Sequence, residues 1–211
     1  KNVKIIQGDI LKLDPKRYTL KSKNYKIVAS LPYYIISPVI RKFLEMQEDK
    51  PRTMVLMVQK EVAQRICARP HRYAKRSGRA KPPHMNLLAV SVQFYAKPQI
   101  ISFVSKKSFW PQPKVDSAII KIIPRKSAYS ISADPLLFFK IVKAGFSQPR
   151  KQIINNLSRF RQDFGGQAKK SKIDKEKIED WLIKNKIRPE QRAESLSIQT
   201  WKRLAKNFPF A

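Results

Sequence analysis

Short apolar runs alternate with amphipathic stretches through the first part of the chain, and this alternation predicts strands interleaved with helices. The runs over 3–6, 26–29, 53–58, 87–96, 100–104 and 117–123 read as strands, the first of them ending in Gly8-Asp9. Val39, Ile40, Phe43 and Leu44 share one side of a helix predicted over 38–46, and a second helix is predicted over 60–68. Strands alternating with helices argue an α/β sheet that closes with antiparallel strands. From Asp134 onward the strand pattern stops, and 138–145, 149–160, 174–184 and 198–206 carry helical spacing instead. A small all-α domain is therefore expected after a break near 124–133, with domains over 1–128 and 129–211.

Composition adds a partner to this picture. Against 15 Asp and Glu stand 45 Lys and Arg, a net charge of +30 on 211 residues. That excess is far beyond what solubility requires and points to a polyanion. Aromatics and prolines lie between the basic residues and not on one amphipathic face, which favours nucleic acid over a membrane surface. Between Lys140 and Lys172 there are nine Lys or Arg and a single acid, Asp163. Within that stretch Arg150 and Lys151 are placed at a helix start, where backbone amides would face a phosphate. Residues 69–84 include Arg72, Arg76 and Tyr73 without any acid, and read either as a disordered loop or as an arm that orders on RNA. No apolar stretch of about 18 residues and no signal peptide is visible, so a soluble, cytoplasmic protein is expected. Cys67 has no partner for an internal disulfide, in keeping with a reducing compartment, and His71, His84 and Cys67 make no zinc set.

The candidate chemistry centres on SLPYYIISP, Ser30 to Pro38, which follows directly on the run 26–29. A small polar residue, an apolar residue, Pro and an aromatic at a strand end form an arrangement suited to holding a nucleobase whose exocyclic amine is methylated. The carbonyl of Leu31 can accept from that amine, Pro32 stiffens the loop, and Tyr33 can stack on the flat base. In FWPQP, alternating prolines project Phe109 from a loop that loses little entropy on binding, while Trp110 reads as the better core residue. Lys114 and Asp116 are expected to brace this segment, with Lys114 also counted as an RNA contact. Trp181 and Trp201 are expected in the core of the small domain.

The segments LPYYIISP, VQKEVAQRI, FWPQPKVDSAI, AGFSQPRKQIINNL and RPEQRAESLSIQTW span nearly the whole chain. In their order and spacing the chain resembles the KsgA-type ribosomal RNA adenine dimethyltransferases. The resemblance implies a Rossmann-like, S-adenosylmethionine-dependent methyltransferase domain, N-terminally incomplete, followed by a helical rRNA-binding domain. It implies that Asp9 accepts a hydrogen bond from the adenine amine of the cofactor, that Ile10 packs near that ring, and that Ser30 serves both cofactor and target. It further implies that Phe109 stacks against the flipped target adenine. Two neighbouring adenines near the 3′ end of small-subunit rRNA, in an immature small ribosomal subunit, are the implied substrates of a monomeric enzyme. Resistance methyltransferases of large-subunit rRNA share the base loop and the Pro-rich segment, but the ISP ending and RAESLS favour the small-subunit enzymes.

Two departures from the family pattern shape expectation. The family carries Asn where this chain has Ser30, and the shorter hydroxyl predicts transfer slower by about tenfold to a thousandfold. The chain opens with Lys1 at what resembles the third cofactor motif, and none of its five glycines falls in a Gly-x-Gly-x-x-Gly. It is therefore read as a fragment that alone would hold the cofactor poorly. A catalytically impaired, rRNA-binding ribosome-assembly factor is the alternative.

Overall fold

The computed structural model describes residues 3–18, 25–46, 48–70, 84–125, 134–160 and 173–210. They fall into two compact units, one formed by Lys1–Cys67 with Tyr95–Lys126, the other by Ala68–Phe94 with Ser127–Ala211. Among the described residues no helix is long and apolar enough to cross a membrane.

The first unit holds a four-stranded sheet built from β1 (Lys26–Ser30), β2 (Thr53–Gln59), β3 (Ala96–Val104) and β4 (Ser117–Pro124), in the order β1-β2-β4-β3. β1 and β2 run parallel, and β4 lies antiparallel to both β2 and β3, as the sequence predicts for a sheet closing with antiparallel strands. Strict alternation in β2 sends Met54, Leu56 and Val58 inward, and Ala118, Ile120 and Ile122 of β4 do the same. Helix α1 (Ile36–Glu45) buries Ile36, Val39, Ile40, Phe43 and Leu44 on one stripe, and the short α2 (Lys60–Ile66) buries Ala63 and Ile66. The starts of β1 and β2 are pinned by Tyr25, whose carbonyl accepts from Arg52 N (2.8 Å) and whose hydroxyl donates to Asp49 O (2.5 Å). Burial, and then the nearby Asp49 charge, push that hydroxyl up to about 12.

Two predicted strands are corrected. Residues 3–6 form no ladder among the described residues, and Val3 and Ile5 are exposed, because an apolar run becomes a strand only beside a partner that takes up its backbone groups. Residues 87–95 are helix α3 (Leu87–Tyr95), and only beyond them does β3 begin. A continuous apolar run cannot separate strand from helix by period. The deciding signal is Asn86, whose side chain accepts from Ala89 N at 3.0 Å and caps the helix.

The second unit is helical: α3, α4 (Pro135–Gly145), α5 (Ile153–Leu157), α6 (Lys175–Lys184) and α7 (Ile198–Lys206). Asp134 caps α4 by accepting from Leu136 N and Leu137 N, and Asp174 and Ser197 cap α6 and α7 in the same way. Phe94 and Phe138 pack with ring centroids 4.3 Å apart, and Trp181 and Trp201 are buried as expected from the sequence. The predicted helix over 149–160 shrinks to α5. Pro149 cannot donate, Lys151 N closes a turn on Gln148 O, and the chain enters the helix only at Ile153.

Candidate active site

The sheet order brings the candidate loops together. β1 and β2 are parallel, so their C-terminal ends share one edge of the sheet; β4 starts there and β3 ends there, since both pair antiparallel at that edge. Ser30 is the last residue of β1, opposite Met57, and Ser117, the first residue of β4, is paired with both Gln59 and Val104. The loop after β1 and the loop 105–116 between β3 and β4 therefore leave the sheet side by side. Their contact is Tyr33 to Ser117: the two hydroxyl oxygens lie 3.5 Å apart, a long hydrogen bond that holds the aromatic over the start of β4.

In the first loop Ser30 is exposed and Leu31 half-buried, and Pro32 has φ −53° and ψ 136°, which turns the chain into a single 3-10 turn closed by Ile35 N on Pro32 O (3.1 Å). Helix α1 follows at once, so the position of Ser30 to Tyr33 is set by a strand on one side and a buried helix on the other. Tyr33 keeps 42% of its surface in solvent, open enough to meet a flat ring.

The second loop is closed by Asp116. Its carboxylate accepts from Lys106 N (3.1 Å) and Lys60 Nζ (3.1 Å), and its carbonyl accepts from Lys60 N (3.0 Å). One residue thus joins both ends of the loop to the first residue of α2. Ser105 caps the turn that follows, accepting from Lys107 N, and the turn ends at Phe109, which is extended and half-buried. Trp110, expected in the core, is 98% exposed. Phe109 is the residue that turns toward the body of the unit, because neighbouring residues of extended chain point to opposite sides. Lys60, Gln64, Lys106 and Lys114 line an open cleft of about 350 Å³ beside Asp116.

The Lys106 amide first, then Lys60, hold the Asp116 carboxyl below its ordinary range. The folded value lies below the unfolded one, so the clasp contributes fully above the unfolded value and is lost as pH falls through the folded value. Acidification is expected to loosen loop 105–116 before it unfolds the chain, and Asp116→Asn to abolish this early step. Trp110 fluorescence followed through an acid titration checks it; a wild-type step that persists in the variant would sink the assignment.

Asp9 and Ile10 sit on a turn in which Asp9 O accepts from Lys12 N and Leu13 N, and Asp9 Oδ1 accepts from Leu11 N at 2.8 Å. Lys42 of α1 holds the turn through the carbonyls of Ile10 (3.1 Å), Leu11 (2.8 Å) and Leu13. The helix entered from the base loop therefore also anchors this turn. An exposed carboxylate fixed beside a half-buried Ile10 offers an acceptor for an adenine amine and an apolar contact for its ring, so the residues present fit the adenine end of S-adenosylmethionine. Lys60 and Ser117 lie within segments that the sequence marks and Lys42 does not, but nothing in the sequence assigns any of the three a role, since each acts on residues far away in the chain.

Arg150 and Lys151 are exposed on the turn before α5. Two amides of the helix start expected to face a phosphate are engaged within the protein: Ile153 N donates to Gln191 O (2.7 Å) and Ile154 N to Pro189 O (3.4 Å), both carbonyls of the RPEQR segment. Asn156 braces the preceding turn by donating to Gly145 O (2.7 Å) and Gln148 O (3.0 Å). Arg72 and Arg76 lie outside the described residues.

Residues 1–206 match the family model described as ribosomal RNA adenine dimethylase. The chain is 40% identical over 203 residues to a ribosomal RNA small subunit methyltransferase A of Dehalococcoides mccartyi, covering 96% of this chain and 62% of that protein. It is 38% identical over 216 residues to the protein of the same name from Staphylococcus haemolyticus, covering 99% of this chain and 67% of the relative. Among solved structures it is similar to a dimethyladenosine transferase from Plasmodium falciparum, with a TM-score of 0.67 at 24% identity over 96% of this chain and 71% of that one. It is also similar to the 23S rRNA methyltransferase ErmE, with a TM-score of 0.65 at 19% identity over 98% of this chain and 72% of the other. These likenesses place the mixed α/β unit with the Rossmann-like methyltransferase fold.

Proposed function

Because this chain belongs to the ribosomal RNA adenine dimethylase family, we propose that it serves the transfer of methyl groups from S-adenosylmethionine to adenine 6-amino groups. The targets are two adjacent adenines near the 3′ end of small-subunit rRNA, in an immature subunit met in the cytoplasm by a monomeric protein. The chain spans 62% of the length of the Dehalococcoides relative. The observation that carries the reading is the meeting of Tyr33 with Ser117, which brings a base-holding loop and the Phe109 loop together across 84 residues of sequence.

At this edge the target base is held between the Tyr33 and Phe109 rings, while Ser30 and the Leu31 carbonyl accept from its amine. Those hydrogen bonds draw the nitrogen toward tetrahedral geometry and free its lone pair, which is otherwise delocalised into the ring. The bound cofactor supplies an electrophilic methyl on a sulfonium. Asp9 and Ile10 would hold its adenine, and Ser30 would serve both cofactor and target. The amine proton leaves to water, so no Ser/His/Asp or Cys/His set is required. Lys114, Arg72, Arg76, Arg150 and Lys151 carry the phosphate contacts, supported by the net charge of +30.

Methyl transfer from labelled S-adenosylmethionine to unmethylated small subunits, with filter binding of the same RNA, tests the reading. Ser30→Asn is expected to raise the rate by about tenfold or more, because an amide oxygen reaches further toward the amine than a hydroxyl does. An active protein indifferent to this substitution would remove Ser30 from the amine contact. Binding with no transfer under any variant would leave either the RNA-binding part of an enzyme or an rRNA-binding factor.

A further inference from the structure

We propose that Trp110 is a stacking platform for an unpaired base of the RNA, a nucleotide flanking the one held by Tyr33 and Phe109. The inference rests on the rRNA reading above and adds a recognition residue to it. Trp110 is 98% exposed, whereas Trp181 and Trp201 are 3% and 0% exposed. An indole left almost wholly in water gives the fold nothing, since its large apolar area stabilises only when covered.

The loop directs the ring outward and holds it there. Phe109 has φ −123° and ψ 147°, so its side chain and that of Trp110 leave opposite sides of the chain. One base therefore cannot lie against both rings on the same side of the loop, and Trp110 serves a neighbour. Pro111 and Pro113 restrict the backbone just beyond it, and the Asp116 clasp on Lys106 and Lys60 closes the loop at its base. A ring held by so stiff a segment loses little freedom when a base settles on it.

The surroundings select the partner. Lys106, Lys107 and Lys114 share the loop with Trp110, and its one acid, Asp116, is engaged by Lys60 and Lys106. An aromatic set among lysines matches single-stranded RNA, whose bases stack while the phosphates meet the cations. Trp110 stands between Phe109 and Pro111, and the exposed residues just beyond them, Lys107, Ser108, Gln112 and Lys114, are polar or charged, a composition that the core of a protein interface avoids.

Tryptophan fluorescence tests this directly, because Trp110 is the only one of three indoles open to a quencher such as acrylamide. The probe is an unstructured, adenine-rich RNA decamer carrying a 3′ fluorophore, whose anisotropy reports binding independently. At saturation, quencher access to Trp110 is expected to fall several-fold. Trp110→Ala should weaken binding by about 5- to 150-fold, the range for losing one base stack, and Trp110→Phe by far less. RNA that binds while Trp110 stays fully quenchable, and with equal affinity in Trp110→Ala, overturns the proposal and leaves the rRNA reading standing. An RNA that does not bind at all overturns both. Protection by the RNA-free protein fraction of the small subunit, and not by the decamer, would assign Trp110 to a protein contact and also overturn it.

Discussion

Gly145→Ala should destabilise the helical unit by about 1–3 kcal/mol, and the same substitution should become stabilising by about 0.5–1 kcal/mol once Trp201 has been cut to Ala. The sign reversal follows from one contact. A Cβ at Gly145 would lie 2.4 Å from Trp201 Cη2 and 3.1 Å from Cζ3, and the indole belongs to a fully buried side chain that has nowhere to move. Phe146 packs on the same ring at 5.6 Å, and α7 carries Trp201 on the stripe that also buries Ile198, Leu204 and Ala205. Trp201→Ala alone should cost about 3–5 kcal/mol, the cost of opening a cavity the size of an indole. In that background the added methyl at 145 meets open space and brings the ordinary helical advantage of Ala over Gly. Urea unfolding of the two single variants and the double variant forms a double-mutant cycle. Additive free energies would show that the backbone at 145, and not the indole, demands glycine.

Removal of the Phe109 ring is the substitution expected to damage catalysis most. Phe109→Ala should lower kcat/KM for methylation of small-subunit RNA by about 10- to 100-fold, as expected for losing one base–aromatic stack. The loop itself should survive, because its closure depends on Asp116, Lys106 and Lys60 and on the Ser105 cap, none of which touches the phenyl ring in its hydrogen bonding. Phe109→Tyr or Phe109→Trp retains a flat ring and should retain most of the rate. Labelled methyl transfer across the three variants, each checked for an unchanged melting temperature, decides the matter. Full activity in Phe109→Ala would remove the ring from the contact with the target base and leave that contact to Tyr33.

The two substitutions probe different kinds of information. Gly145 belongs to the AGFSQPRKQIINNL segment, which the sequence marks as a motif without saying why glycine stands there; the reason is an aromatic 56 positions further on. Phe109 is legible from its own neighbours, since prolines on one side and a strand on the other announce a stiff loop. Its companion Trp110 misleads for the same reason. A large apolar residue reads as core unless the direction of its side chain is known, and that direction depends on which of two adjacent extended residues faces the sheet.

What the sequence alone determined is what depends on local order. The alternation in β2, the apolar stripe of α1 and the spacing of the family segments are all written in near neighbours. Period acts over one or two turns, so it can be read without knowing the fold. The tertiary structure decided what depends on a distant partner. Residues 3–6 found no ladder among the described residues, and the amides of Ile153 and Ile154 went to Gln191 and Pro189. The site was settled in the same way, by Lys42 on the Asp9 turn, Ser117 under Tyr33 and Asp116 between Lys106 and Lys60. A hydrogen bond needs its two atoms within about 3 Å, and only the folded sheet brings residues so far apart in the chain to that distance.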